Sequence, residues 1–135
     1  MRKGVSLKQM KVVEKKKMVE DFWWIVLEGE DEFEFKAGQY VSVKVSDKGE
    51  RREYSIAGRE GNKKICLLVD VGPGGVGSKF FEKIKEGEIV EVLGPMGSFT
   101  VKEEDEKLVM IAIGSGIAPV KAMVEEEVRK FLEKL

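Results

Sequence analysis

Histidine is absent from this chain of 135 residues, and cysteine occurs once, at Cys66. The lack of histidine removes the commonest general base and the commonest metal ligand together. A single cysteine cannot form an intramolecular disulfide or a cysteine-ligated iron–sulfur cluster. Any chemistry is therefore expected to belong to a bound cofactor.

The chain also has no large excess of one sign of charge and no long apolar run. The net charge of -1 argues against a nucleic-acid partner. The longest apolar runs, such as residues 22–27, are too short to span a bilayer, and no apolar signal segment follows the N-terminus. We therefore expect a globular, cytoplasmic protein. Abundant lysine and glutamate, with little asparagine or glutamine, resemble the usage of thermophile proteins.

The chain before residue 105 has mostly the pattern of strands. Alternation with a period near two is clearest in residues 40–45 and 89–93. Further strands are predicted at residues 10–13, 22–27, 52–57 and 65–71. One short helix is predicted over residues 78–84, with Ser78 as its N-cap and Gly87 after its end. Short strands at this spacing favour a closed antiparallel barrel or a sandwich.

The pattern changes after residue 106. The continuous apolar run at residues 108–113 predicts a strand buried on both faces of a parallel sheet. A glycine loop follows, and then a helix from about residue 119 to the end. One apolar stripe of this helix comprises Val120, Met123, Val124, Val128, Phe131, Leu132 and Leu135. Strand, glycine loop and helix make half of a dinucleotide-binding unit.

Arg52, Tyr54 and Ser55 form the first candidate binding group. Arg52 and Tyr54 are two residues apart on a predicted strand, so their side chains share a face. Arginine can pair with a phosphate through two donors, and tyrosine offers a flat apolar ring with a polar tip. The Ser55 hydroxyl can reach a ring nitrogen. This pattern suits a charged, flat cofactor, but an ordinary charged strand with one core tyrosine fits it equally well.

Residues 72–78 form a glycine-rich loop just before the predicted short helix. Glycines let the backbone approach a ligand closely and present successive N–H groups. The positive end of the helix dipole near Ser78 adds to their effect. A flexible loop is the alternative, but the position of the loop after the Arg-Tyr-Ser strand favours a pyrophosphate cradle.

Short motifs in a fixed order extend along nearly the whole chain. They are FKAGQY from Phe35, REYSIA from Arg52, GGVGS from Gly74, GPMGSF from Gly94 and GSGIAP from Gly114. On these motifs the chain resembles the ferredoxin–NADP reductase superfamily. The resemblance implies a mainly β fold, a six-stranded antiparallel Greek-key β-barrel with one short helix, in which residues 1–104 bind FAD. It implies that residues 105–135 are a truncated βα unit, the first strand, glycine loop and helix of an NAD(P)-binding domain.

The resemblance also implies roles for individual residues. Arg52 would pair with the flavin phosphates, Tyr54 would stack on the isoalloxazine ring, and Ser55 would hydrogen-bond near flavin N5. Other residues would line the ribityl chain (Val69, Asp70 and Val71), hold the pyrophosphate (Gly75, Val76, Gly77 and Ser78) or face the pyridine nucleotide (Gly114, Ser115 and Gly116). No catalytic side chain and no metal ligand is expected.

Ser115 departs mildly from the family pattern, because relatives usually carry threonine there. The larger departure is that the later strands and helices of a nucleotide domain do not follow. NAD(P)H binding is therefore expected only if further sequence or a partner completes the site. FAD is favoured over FMN because most relatives use it, but the residues themselves leave the choice open.

A single βα unit cannot bury both of its surfaces. We therefore expect the helix at residues 120–135 to pack on a second copy in a homo-oligomer, on a partner subunit or on the barrel. A basic cluster fits either an acidic protein electron carrier or a solvated strand face, and it comprises Lys11, Lys15, Lys16 and Lys17.

Two functions follow from the sequence. The preferred one is the FAD-binding domain of a ferredoxin–NADP-reductase-like oxidoreductase that transfers electrons between a pyridine nucleotide and an acceptor. The alternative is a non-catalytic electron-transfer or assembly module whose C-terminal helix docks a partner subunit.

Overall fold

Six strands and two α-helices form most of the regular structure in this computed structural model, which describes residues 4–104 and 107–135. The strands are β1 (Ser6–Lys17), β2 (Phe22–Glu28), β3 (Tyr40–Lys44), β4 (Arg51–Gly58), β5 (Lys64–Asp70) and β6 (Ile89–Met96). They pair antiparallel and close into a barrel in the order β1-β2-β5-β4-β3-β6. Because β3, β4 and β5 are consecutive neighbours and β6 returns beside β3, the topology is Greek-key. The predicted mainly β barrel is confirmed, and the sandwich is excluded.

Alternating side chains from the strands fill the barrel. Fully buried members of this core include Met10, Val12, Ile25, Leu27, Val41, Val43, Ile56, Ile65 and Leu67. Every predicted strand before residue 105 is present. β1 is longer than predicted, because its charged second half pairs in register with β2 despite the low strand propensity of lysine and glutamate.

A β-bulge interrupts β1 between Val12 and Glu14. After the bulge Lys15 lies directly opposite Ile25, a core residue of β2. Residues that lie opposite each other share a face of the sheet, so Lys15 is on the inner face of the barrel. Without the extra residue, Lys15 would be on the outer face.

Helix α1 (Val76–Lys83) closes one end of the barrel and contributes Phe81 to the core. The prediction that Ser78 is its N-cap is wrong. The helix begins two residues earlier, with Gly75 in an extended conformation at the N-cap. Ser78 lies inside the first turn and is nearly buried, because its hydroxyl faces a strand rather than the helix N–H groups.

Helix α2 (Ile117–Glu133) follows a 3-10 turn at Gly114–Gly116 and packs on the outer face of β4. Ala122 and Met123 are buried there against Ala37. The ammonium of Lys121 adds a contact 5.0 Å from the centre of the Trp24 ring. Most of the predicted stripe is exposed, namely Val124, Val128, Phe131, Leu132 and Leu135. The barrel thus covers the first turns of α2 only.

The predicted strand at residues 108–113 is wrong. These residues form no strand, and the side chains of Val109, Ile111 and Ile113 are 90%, 90% and 93% exposed. A strand needs a neighbour for its backbone N–H and C=O groups. None of the strands in the described residues pairs with this segment.

The sequence of α2 also places Glu125 and Glu126 four residues before Arg129 and Lys130, which predicts two ion pairs that the described residues do not form. Glu125 pairs instead with Lys121 at 2.7 Å, and Arg129 pairs with Glu133 at 2.9 Å. Glu125 and Arg129 each have an oppositely charged residue four positions away on both sides along the helix. The sequence pattern alone therefore does not decide between the two sets.

One sequence-based expectation falls on residues that the structure does not describe. The predicted domain boundary, between residues 104 and 105, lies at the gap of residues 105–106, and residues 1–3 also lie outside the described ranges. Within those ranges, no helix combines the length and apolar character that crossing a membrane requires.

Gly38 and Gly49 provide a matched test of the packing around Gly38, where the loop after β6 and helix α2 meet. Both have positive φ, 104° and 85°, but a Cβ on Gly38 would collide with the Phe99 carbonyl and the Met123 side chain, whereas one on Gly49 meets open space. We expect Gly49→Ala to lower the free energy of unfolding by about 1 kcal/mol and Gly38→Ala by at least about 3 kcal/mol. Urea unfolding measures both, and equal losses would contradict the packing described here.

Candidate functional site

The first turn of α1 lies directly against β4, which brings two of the predicted motifs together. A Cβ built on Gly77 would overlap the Tyr54 hydroxyl and would lie 3.1 Å from Cγ of Arg52. Glycine is therefore needed at position 77 for the helix to approach the strand this closely. The guanidinium of Arg52 is exposed and donates to the carbonyl oxygen of Arg51 at 2.7 Å.

The N-terminus of α1 has free hydrogen-bonding capacity. Gly75 at the N-cap has no side chain to accept a bond from the first-turn N–H groups, and that turn contains no acidic residue. The helix itself leaves these donors unpaired. A Cβ on Gly74 or Gly75 would meet nothing within 4 Å, so the space above the loop is open. Free N–H groups, a positive dipole end and open space suit a phosphate.

Tyr54 is held by the core on one side of its ring. The ring meets Phe81 edge-on, with centroids 4.9 Å apart and an interplanar angle of 81°. Burial raises the pKa of the Tyr54 hydroxyl to about 12, against an opposing effect of Arg52. The hydroxyl therefore stays protonated across the neutral range and can both donate and accept a hydrogen bond.

Ser55 and the end of β5 lie beside Tyr54 and Phe81. Ser55 is half-buried and lies opposite Tyr40 on β3. Val69 and Val71 point their side chains into the core, so only their backbone can face a ligand. Asp70 shapes the loop that follows, because one carboxylate oxygen accepts from the Gly72 N–H at 2.9 Å.

Ser78 connects the helix to the same strand end. Its hydroxyl donates to the Asp70 carbonyl oxygen at 3.5 Å, a long bond. Val76 is half-buried at the first helical position, and the side chain of Ser78 is turned toward the strand rather than toward the loop. The two residues therefore offer their backbone N–H groups to a ligand at this end of the helix.

Gly114, Ser115 and Gly116 form the exposed 3-10 turn that precedes α2, near β5. Gly114 has a φ of 59°, which favours glycine at that position. The other predicted site residues lie on β4, on β5, on α1 or in the loop between β5 and α1. The turn is the only predicted site segment from the second part of the chain.

A surface cavity of about 880 Å³ borders the glycine loop on its far side. Its lining includes Gly74, Gly75, Val76, Lys79 and Lys44. The cavity lies beside the loop rather than over Tyr54, and its lining carries both signs of charge, Lys44, Lys79 and Lys83 against Asp47, Glu88 and Glu91. The cavity therefore leaves space past the N-terminus of α1 into which a large ligand can extend.

Sequence reasoning missed Phe81, which supports the ring of Tyr54. The signal was present, because Phe81 is four residues after Gly77 and therefore on the same face of the helix. It also missed the contact between Gly77 and β4, since the glycines of the loop were all interpreted as ligand-facing. Of these, Gly77 faces the protein.

A Greek-key barrel with an uncapped, glycine-led helix beside an Arg-Tyr strand defines a flavin-binding domain of the ferredoxin–NADP reductase type. A family model described as "Oxidoreductase FAD-binding domain" matches residues 9–101. The chain belongs to this family, and the cofactor of the family is FAD. The site described above fits that cofactor, because the free first-turn N–H groups and Arg52 match its pyrophosphate and the Tyr54 ring matches its flat isoalloxazine.

Curated relatives match the chain over the barrel. A CDP-6-deoxy-L-threo-D-glycero-4-hexulose-3-dehydrase reductase from Yersinia pestis is 39% identical over 99 residues, which cover 72% of this chain and 30% of that protein. A toluate 1,2-dioxygenase electron transfer component from Pseudomonas putida is 34% identical over 93 residues, or 68% of this chain and 28% of that one. The chain thus spans about 30% of the length of these relatives.

Solved structures have the same fold over more of the chain. A cytochrome P450 reductase from Amycolatopsis superposes with a TM-score of 0.86 at 30% identity, covering 93% of this chain and 40% of that one. Phthalate dioxygenase reductase superposes with a TM-score of 0.81 at 27% identity, covering 92% and 40%. Both similarities extend beyond the barrel into the segment that contains α2.

The Tyr54 environment predicts a specific pH dependence. The folded pKa of about 12 lies above the unfolded value of 10.0, so the folded state binds this proton more tightly. The stability that this contributes is complete below pH 10.0 and is lost as the pH rises toward 12. We expect the difference in unfolding free energy between the wild type and Tyr54→Phe to fall over this window in urea titrations. A difference that does not change with pH would contradict the burial of the hydroxyl.

Proposed function

We propose that this chain holds FAD for electron transfer between a pyridine nucleotide and an acceptor, as part of an NAD(P)H-dependent flavin reductase type of oxidoreductase. The observation that carries the proposal is the first turn of α1, whose free N–H groups lie beside Arg52 and Tyr54. FAD, when bound, supplies the redox chemistry. The residues of the chain bind and orient it.

The binding roles divide between the strand and the helix. Arg52 pairs with the flavin phosphates, and the N–H groups of Val76, Gly77 and Ser78 hold the pyrophosphate. Tyr54 provides the flat face for the isoalloxazine ring, and Ser55 donates toward flavin N5. The backbone of residues 69–71 lines the ribityl chain. The short distance between β4 and α1 supports this division, because one ligand can reach both elements.

Residues 105–135 begin the nucleotide-binding half of the site in this proposal. The turn Gly114–Gly116 faces the pyridine nucleotide, and NAD(P)H binds only when further strands complete the unit. Support comes from the apolar surface that this part exposes, at Val109, Ile111 and Ile113 before the turn and at Val124 and Val128 after it. Further strands beside residues 108–113 would cover it.

The acceptor is a partner protein in the preferred form of the proposal. The toluate 1,2-dioxygenase relative is named an electron transfer component, and an Amycolatopsis relative is named the reductase subunit of an aromatic O-demethylase. Both names describe one component of a larger system. By analogy we propose a protein electron carrier or oxygenase component as the acceptor for this chain.

A second function is favoured by the exposed face of α2. A cavity of about 520 Å³ on this face is lined by Val124, Val128 and Leu132, among others. In the alternative, this helix docks a partner subunit or a second copy, and the chain is an electron-transfer or assembly module without its own nucleotide reaction. Reduction of the FAD-loaded chain by dithionite but not by NADH or NADPH would favour the module.

We also propose that the protein is cytoplasmic and comes from a heat-adapted organism. The single cysteine is buried and forms no disulfide, which suits a reducing compartment. The high content of lysine and glutamate supports heat adaptation. A melting temperature in the ordinary range of about 45–65 °C would contradict the second part.

Titration of the purified chain with FAD tests the binding site. We expect quenching of flavin fluorescence on binding and a rise in melting temperature. Arg52→Met should raise the Kd for FAD by about tenfold or more, because it removes a charge-assisted phosphate contact. Glu53→Gln is the matched control, since Glu53 is exposed on the same strand but on the opposite face.

The titrations distinguish FAD binding by the chain from the particular role assigned to Arg52. A wild-type chain whose melting temperature and flavin fluorescence do not respond to FAD would overturn the proposed function. Equal effects of Arg52→Met and Glu53→Gln would leave FAD binding in place but remove the assigned role of Arg52.

A further inference from the structure

Lys15 contacts the end of α1 that is farthest from the glycine loop. Its ammonium donates to the carbonyl oxygens of Glu82 at 2.6 Å and Ile84 at 2.9 Å. The same ammonium lies 4.7 Å from the centre of the Trp23 ring. The last carbonyls of a helix have no partner inside the helix and carry the negative end of its dipole. Lys15 therefore both bonds to this end and neutralises it.

The β-bulge in β1 makes the contact possible. It places Lys15 on the inner face of the barrel, at the end that α1 closes, whereas Lys16 is on the outer face. Burial lowers the pKa of Lys15, and Glu82 and Glu88 oppose this effect. Lys15 is thus distinct from the solvated strand lysines around it, and it was one member of the basic cluster seen in the sequence.

Helix α1 is consequently held at both ends. At its N-terminus Gly77 rests on β4, and at its C-terminus Lys15 reaches over from β1. The helix has 8 residues, so it is about 12 Å long. A helix this short moves nearly as a rigid body. A change of tilt at its C-terminus therefore changes the direction of the N–H groups at its N-terminus.

We propose that Lys15 is a positioning residue for the first turn of α1, the phosphate cradle of this site. By fixing the C-terminus of α1, it sets the direction in which the N–H groups of Val76, Gly77 and Ser78 point toward the pyrophosphate of FAD. Lys15 itself does not touch the ligand. The proposal rests on the proposed function, because it takes FAD as the ligand of the cradle.

Two flavins and a short series of variants of the full chain test this role. FAD carries the pyrophosphate, whereas riboflavin has the same ring and ribityl chain without phosphate. Lys15→Met keeps the apolar stem over Trp23 but removes the charge and the donors, Lys15→Gln keeps a neutral donor, and Lys15→Arg keeps both. Lys16→Met is the matched surface control. Ile65→Val is a packing control, since Ile65 is a core residue at the other end of β5.

We expect Lys15→Met to raise the Kd for FAD by about threefold to tenfold, while the Kd for riboflavin stays within about twofold of the wild type. Lys15→Gln should fall between Lys15→Met and the wild type, and it replaces Lys15→Met if that variant does not fold. Lys15→Arg and Lys16→Met should bind both flavins as the wild type does. Ile65→Val should lower the melting temperature without changing the ratio of the two Kd values.

Two results would overturn the positioning role. One is a Lys15→Met variant that binds FAD as tightly as the wild type does. The other is an equal loss of affinity for FAD and riboflavin, which would mean a general loosening of the barrel. Failure of the wild type to bind FAD is a different outcome, because it removes the proposed function itself. Fluorescence titration with FAD and riboflavin under one set of conditions distinguishes all of these.

Discussion

The contact between the first turn of α1 and strand β4 is the constraint on which the site depends. At Gly77 the helix backbone lies against the Tyr54 hydroxyl and the stem of Arg52, with no room for a methyl group between them. The same helix contributes Phe81 to the barrel core and supports the Tyr54 ring with it. The packing that closes the barrel therefore also sets the geometry of the proposed cofactor site.

The two parts of the chain differ in how much of their apolar surface they bury within the chain. The barrel buries its apolar residues and pairs each of its strands on both sides. The segment from residue 107 onward buries only the first turns of α2 against the barrel and exposes Ile111, Ile113, Val128 and Leu132. In physical terms, the flavin-binding part has its own core, whereas the second part presents an apolar surface that other polypeptide can cover.

The sequence predicts most of the barrel but only part of the site. Period-two alternation located the strands because each has one face in the core, and the ordered glycine and Arg-Tyr-Ser motifs predicted where the cofactor binds. The strand at residues 108–113 failed because apolar character does not supply a pairing partner. The bulge that directs Lys15 inward has no signature in the charged stretch of β1, and α1 begins after a glycine N-cap although capping preference favours the serine at position 78.

Backbone amide chemical shifts on addition of FAD test the central claim most directly, since they report on each predicted contact separately. We expect the largest changes at the N–H groups of Val76, Gly77 and Ser78 and along β4 from Arg52 to Ser55. Riboflavin, which has no phosphate, should shift the β4 signals but leave those of the first turn of α1 nearly unchanged. Changes confined to α2, or equal changes in the first turn of α1 with both ligands, would contradict the account.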